Sequence, residues 1–180
     1  MHTQSLYQKA IKFATLKHLE KKQLVPGTNM PYVVHLSNVA MEIFMASQHS
    51  ENFNLDLAIQ AGLLHDTLED TATTVEELTF EFGDEVSEAV LALTKNDTLP
   101  KAEKMQDSLQ RIKKLSKAVW AVKLADRITN LQPPPAHWDN EKKKTYRQEA
   151  ITIAEELKGG NSYLETRLQE KIAAYANYFD

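Results

Sequence analysis

Between a few breakers, apolar residues recur at every third and fourth position along this chain, and that spacing confines it to helices. Glycine and proline number only 5 and 6. Most of them gather at Pro26-Gly27-Thr28-Asn29-Met30-Pro31, Pro133-Pro134-Pro135 and Gly159-Gly160-Asn161, and each cluster reads as a break. From Leu36, the positions Val39, Ala40, Ile43 and Phe44 share one helical face. Leu57, Ala61, Leu64 and Leu68 make a second stripe, and Val86, Val90, Leu91 and Leu93 begin a third. Val119, Val122, Asp126 and Thr129 share a face beside Trp120, Leu124 and Leu131. Ile151, Ala154 and Leu157 follow, then Leu164, Leu168, Ile172 and Tyr175.

Thr73-Thr74-Val75-Glu76-Glu77 places a hydroxyl three residues ahead of a glutamate, a capping-box pattern, and Gly83 is placed to end that helix. No stretch alternates with period two, so no sheet is expected. The reading is an all-α chain, a helical bundle of roughly eight helices forming a single domain over residues 1–180. An amphipathic stripe buries equally well against its own chain or a second copy, which leaves the oligomeric state open.

Composition narrows the function classes. A hydrophobic share of 42% supplies a sizeable core, so disorder is not the expected state. With no cysteine, disulfides, thiolate zinc sites and a cysteine nucleophile are all excluded. The net charge of −4 is unlike the basic surface of a nucleic-acid binder. No apolar run approaches the ~20 residues of a membrane span, and the start of the chain lacks a signal-peptide core. The expectation is a cytoplasmic protein whose partner is a small molecule, neither a nucleic acid nor a membrane.

The chemistry concentrates in Leu63-Leu64-His65-Asp66-Thr67-Leu68-Glu69-Asp70-Thr71, where four titratable side chains fall within six residues. A His-Asp pair alone says little, because a histidine at a helix end commonly caps carbonyls while the acids are solvated. Two further residues change the balance. His35 precedes Leu36 and lies four before Val39, so it faces inward. Asp126 is an inward acid on an otherwise apolar face, where it is costly unless paired or bound to a cation. Three helices thus each offer a ligand-type side chain to the interior, and two imidazoles with two carboxylates suit Mn²⁺, Fe²⁺ or Zn²⁺.

His35, His65-Asp66 and Asp126, in that order, resemble the HD phosphohydrolase superfamily. Ala61-Gly62-Leu63-Leu64-His65-Asp66-Thr67-Leu68-Glu69-Asp70-Thr71 is similar to the hydrolase domain of Rel/SpoT alarmone enzymes. So are Pro31-Tyr32-Val33-Val34-His35, Phe82-Gly83 and Lys123-Leu124-Ala125-Asp126-Arg127-Ile128-Thr129-Asn130. The length of 180 residues leaves no room for a synthetase domain, and so resembles the stand-alone small alarmone hydrolases, the Mesh1-like group. Leu99-Pro100-Lys101 and the late Trp138, Tyr146 and Gly159 also resemble that group.

The resemblance implies a metal held by His35, His65, Asp66 and Asp126, usually Mn²⁺, with Fe²⁺, Co²⁺ or Zn²⁺ as alternatives. It implies that Glu69 and Asp70 are the acidic pair beside the nucleophilic water, and that Asn130 contacts the nucleoside. Lys142 and Tyr146 fall where the family contacts substrate. Lys21 and Lys22 stand where the family carries a basic segment, and Lys95 and Lys101 are further lysines suited to phosphate. The activity implied is 3′-pyrophosphohydrolysis of guanosine or adenosine alarmones. Another HD nucleotide phosphohydrolase, or a non-catalytic nucleotide-binding module, would carry the same ligands.

Overall fold

A computed structural model describes residues 2–179. Its ten α-helices are α1 (Thr3–Glu20), α2 (Val33–Gln48), α3 (Leu55–Leu64), α4 (Thr67–Asp70), α5 (Val75–Phe82), α6 (Asp84–Leu93), α7 (Lys101–Ile112), α8 (Lys117–Asn130), α9 (Asn140–Glu156) and α10 (Ser162–Tyr175). A 3₁₀ turn, Ala176–Tyr178, follows. Among the described residues the only extended pairing is the isolated bridge between Leu24 and Pro31, which closes the loop between α1 and α2.

Two helices make the centre. Every residue of α3 from Leu57 to Leu64 is buried, so this segment is covered on all sides, as an all-round apolar helix must be. In α8, burial extends continuously from Ala118 to Val122 and from Leu124 to Thr129. The helices α1, α2, α6 and α8 pack around α3, and α2, α3 and α10 flank α8. Small residues permit the close fit. A Cβ built on Gly62 would overlap Ile43 Cδ1, and Ile43 is itself completely buried on α2. Gly62→Ala should therefore lower stability. Overpacking costs about 1–3 kcal/mol, against a helix-propensity gain of about 1 kcal/mol. Urea unfolding at an unchanged midpoint would show that Ile43 swings aside instead.

The caps follow the sequence in most places. Thr74 Oγ1 accepts from Glu77 N at 3.2 Å, and Gly83 turns the chain between α5 and α6 at φ +86°, a conformation open to glycine without strain. The ten helices among the described residues agree with an all-α bundle of roughly eight. Two details of the stripes need correction, and the first is that the stripe from Leu57 to Leu68 is not one helix. It breaks after Leu64, and α4 is a separate single turn. Phe44 and Leu91, assigned to buried stripes, are both exposed, because each lies just past the edge of its apolar arc. The helices α1 and α7, whose polar composition hides their periodicity, complete the count.

Candidate active site

The break after α3 is what builds the site. His65 occupies the C-cap of α3, and its Nδ1 donates to the carbonyl of Gly62 at 2.7 Å, satisfying one of the helix's orphan acceptors. In the neutral imidazole that bond places the ring proton on Nδ1 and leaves Nε2 bare, facing the interior. One nitrogen of this histidine thus caps the helix while the other turns to the interior. The chain then turns so that Asp66 follows outside the helix and α4 begins.

Around Nε2 of His65 the other donors converge. His35 Nε2 lies 3.4 Å away, supplied by the first turn of α2. Asp66 Oδ2 lies 3.0 Å away and Asp126 Oδ1, from α8, lies 3.5 Å away. His35 Nε2 is also 3.4 Å from Asp126 Oδ1 and 3.8 Å from Asp66 Oδ2. His35, His65 and Asp126 are buried and offer ligand atoms all within 4.8 Å of one another, with Asp66 Oδ2 beside the two imidazoles. Two neutral imidazoles and two carboxylates in one buried place form a donor set that fits a divalent cation.

The charges explain why these groups tolerate burial. Desolvation works against both carboxylates, yet His65 holds Asp66 below the ordinary carboxylate range. Lys123, with Nζ 3.3 Å from Asp126 Oδ2, joins the two histidines in holding Asp126 well below it. Burial alone pushes the His65 imidazole down, but Asp66 and Asp126 outweigh it and raise it well above its usual value. Asn130 Nδ2, one turn along α8, donates to Asp126 Oδ1 at 2.5 Å. The hydroxyl of Tyr32 donates to Asp66 Oδ2.

Glu69 and Asp70 sit on α4 with different partners. Lys95 donates to Glu69 twice, from Nζ to Oε1 at 2.6 Å and from its backbone N–H to Oε2 at 3.3 Å. Asp70 Oδ2 accepts only from a neutral amide, Gln23 Nε2, at 2.7 Å. Burial raises Asp70 above the ordinary carboxylate range, and the Gln23 bond opposes that rise.

Beside the cluster lies a cavity of about 560 Å³, bounded by His35, Thr28, Asn130, Pro134, Trp138 and Tyr146 among others. That volume lies within the ordinary range for a small-molecule site, roughly 300–1,000 Å³. Its aromatic lining residues Tyr146 and Trp138 are each backed by a cation that does not itself line the cavity. The Arg127 guanidinium lies 4.4 Å from the Tyr146 ring centroid, Tyr146 meets Trp138 edge-on at 5.1 Å, and Lys142 Nζ sits 4.4 Å over Trp138. Burial pushes the Tyr146 hydroxyl up to about 12. Gly27 and Pro135 bring the two breaker loops into contact across this cavity, since a Cβ on Gly27 would stand 3.3 Å from Pro135 Cγ.

The structure thus gathers His35, His65, Asp66, Asp126 and Asn130 into one contact network, with Glu69, Asp70 and Lys95 on its flank. Asn130 and Tyr146 line the cavity, and Lys142 reaches it through Trp138. Lys21, Lys22 and Lys101 are solvent-exposed and line no part of that cavity. Sequence reasoning missed Tyr32, Gln23, His18 and Lys123. Spacing carried a signal for two of them, because Tyr32 and Lys123 each stand three residues before a cluster member. Gln23 lay inside a segment read only for its lysines.

A family model for the HD domain matches residues 10–159. The chain is 34% identical over 168 residues to the guanosine-3′,5′-bis(diphosphate) 3′-pyrophosphohydrolase MESH1 of Xenopus tropicalis, covering 91% of each. Against human MESH1 it is 33% identical over 165 residues, covering 89% of each. A solved structure of a metazoan SpoT orthologue, described as hydrolysing ppGpp and acting in starvation responses, superposes with a TM-score of 0.80. The two share 27% identity over 94% of each chain. From the buried His35, His65 and Asp126 outward, the chain belongs to the HD-domain family, in its MESH1-like group.

Proposed function

We propose that the protein is a metal-dependent 3′-pyrophosphohydrolase of purine alarmones, working on ppGpp or its adenosine counterpart and releasing pyrophosphate. The observation that carries this reading is the four-donor cluster beside a nucleoside-sized aromatic cavity, with two further acids one turn beyond Asp66. The named activity of the MESH1 relatives supports it. His35, His65, Asp66 and Asp126 would hold one divalent ion, for which we propose Mn²⁺. Such an ion polarises a phosphoryl oxygen and makes water acidic enough to react near neutral pH.

The protein's own groups would do the rest. Water attacks the phosphorus next to the ribose 3′-oxygen, its proton passes to the Glu69–Asp70 pair, and the bond to the 3′-oxygen breaks as that oxygen takes up a proton from solvent, giving the 3′-hydroxyl and pyrophosphate. Asp70 suits that task better than Glu69, because only one of its oxygens is engaged and its partner is uncharged. Tyr146 and Trp138 offer the base aromatic surface, and Asn130 holds Asp126 in place. We place this chemistry in the cytoplasm, where purine nucleotides are abundant; among the described residues no helix is long and apolar enough to cross a membrane.

The deciding experiment incubates Mn²⁺-loaded protein with guanosine and adenosine alarmones and resolves the products by chromatography. Pyrophosphate with GDP, GTP or the adenosine equivalent is expected. Orthophosphate from another nucleotide would replace this reading with a different HD phosphohydrolase, and tight binding without turnover would favour a binding module. Asn130→Ala should lower metal affinity or activity about 10- to 100-fold, the range for losing a hydrogen bond to a metal ligand. Metal titration by calorimetry checks this, and wild-type values for both would remove Asn130 from the site.

A further inference from the structure

His18 is a buried titratable residue that the reaction above does not use. It is 2% exposed, and its Nε2 has no hydrogen-bond partner. Its Nδ1 lies 2.6 Å from Gln23 Oε1, and Gln23 Nε2 donates to Asp70 Oδ2 at 2.7 Å. The direction of this chain is forced. An ionised carboxylate only accepts, so Gln23 must present its NH₂ group to Asp70. Its carbonyl oxygen then faces His18, which must donate from Nδ1, leaving Nε2 bare.

The backbone of Gln23 is pinned as well, its N–H on the carbonyl of His18 at 3.1 Å and its carbonyl accepting from Tyr32 N–H at 3.3 Å. Only the side-chain torsions of Gln23 remain free, and His18 closes those. The same His18 ring packs on Tyr32 with centroids 4.6 Å apart, and the Tyr32 hydroxyl donates to Asp66. Burial keeps the imidazole below its usual value, hence uncharged and able to donate from one nitrogen alone.

We infer that His18 and Gln23 form a one-way positioning pair that fixes the rotamer of Asp70, keeping one carboxylate oxygen engaged and the other available to water. The inference rests on the reading of Asp70 as a water-activating acid. A loose Gln23 would let Asp70 turn, and a misplaced proton acceptor slows the reaction without weakening substrate binding.

The test uses the full chain and four variants, His18→Leu, His18→Asn, Gln23→Ala and the double His18→Leu/Gln23→Ala. Circular dichroism melts define a temperature at which each is folded. With Mn²⁺ and ppGpp, His18→Leu and Gln23→Ala should each lower kcat about 10- to 100-fold, by analogy with the loss of a hydrogen-bond partner behind a metal ligand, with KM little changed. The double variant should be no slower than Gln23→Ala, since the two act as one unit. His18→Asn, whose amide nitrogen replaces Nδ1 as donor, should recover most of the rate lost in His18→Leu. Multiplying effects, or no advantage of Asn over Leu, would overturn the pair. A second readout needs no turnover: ¹⁵N NMR of the imidazoles should show His18 as the neutral Nδ1–H tautomer, and an Nε2–H tautomer would overturn the pair. Should the wild-type protein release no pyrophosphate, the proposed function fails while the tautomer still decides the positioning pair.

Discussion

Asp126→Ala should lose bound metal and turnover together, with kcat/KM falling by at least about 10³-fold, as when one member of a catalytic unit is removed. Asp126 touches more of the cluster than any other acid, through His35, His65, Lys123 and Asn130. Its removal leaves the Lys123 ammonium facing a buried site without its counter-charge. Breaking a buried ion pair on one side costs about 3–5 kcal/mol, so the variant should also melt earlier. Asp126→Asn separates the two effects, because it keeps the shape while removing the charge. Thermal melts with and without Mn²⁺ give the second measure. A ligand at 100 times its Kd stabilises the native state by about 2.7 kcal/mol, and that increment should be present in the wild type and absent in both variants. Wild-type metal content in Asp126→Ala would end the assignment of the four ligands.

Asp70→Asn should keep its metal and still lose a factor of about 10²–10⁴ in kcat, the usual contribution of a general base. Glu69→Gln should also keep metal and lose rate, by a smaller factor. The difference comes from their partners. Both Glu69 oxygens are engaged by Lys95, and that contact holds the ammonium above its ordinary range despite burial. A carboxylate so paired is a poor proton acceptor, while Asp70, raised by burial and held by a neutral amide, is a better one. Elemental analysis and steady-state kinetics on the two variants check this directly. Metal loss in either variant would make that residue a ligand, and near-normal turnover in Asp70→Asn would remove it from the reaction.

Much of this was legible from residue order alone, and the exceptions have physical causes. The stripes of α2, α3, α8 and α10 announce themselves because one face of each meets a core, and the caps at Thr74 and Gly83 are local. The break between α3 and α4 is invisible to periodicity, since Leu68 continues the apolar register of Leu64 across it. Side-chain hydrogen bonds from His65 Nδ1 to the Gly62 carbonyl and from the Thr67 hydroxyl to the Leu64 carbonyl mark the end of the helix. His35, His65 and Asp126 stood out as ligand types on inward faces. Gln23 and His18 did not, because a glutamine at the end of a polar helix has no local feature that distinguishes it. Its meaning comes from Asp70, which the fold alone brings within reach. The lysines show the opposite error: charge suggests phosphate, but among Lys21, Lys22, Lys95, Lys101 and Lys142, only Lys95 and Lys142 stand against groups at the site.

The donors of the central cluster arrive on α2, at the end of α3 and on α8, and α4 to α7 lie between the second and third of these. During synthesis on the ribosome, His35 and the His65-Asp66 pair emerge while Asp126 is still unmade. On the proposed assignment of four ligands, a nascent chain that carries only the first three would present an incomplete and weaker chelator. High-affinity capture would then wait until α8 has left the exit tunnel and packed against α3. Metal retention would report that the distant halves of the chain have met, and a chain stalled before Asp126 would differ from a finished one by its inability to keep an ion.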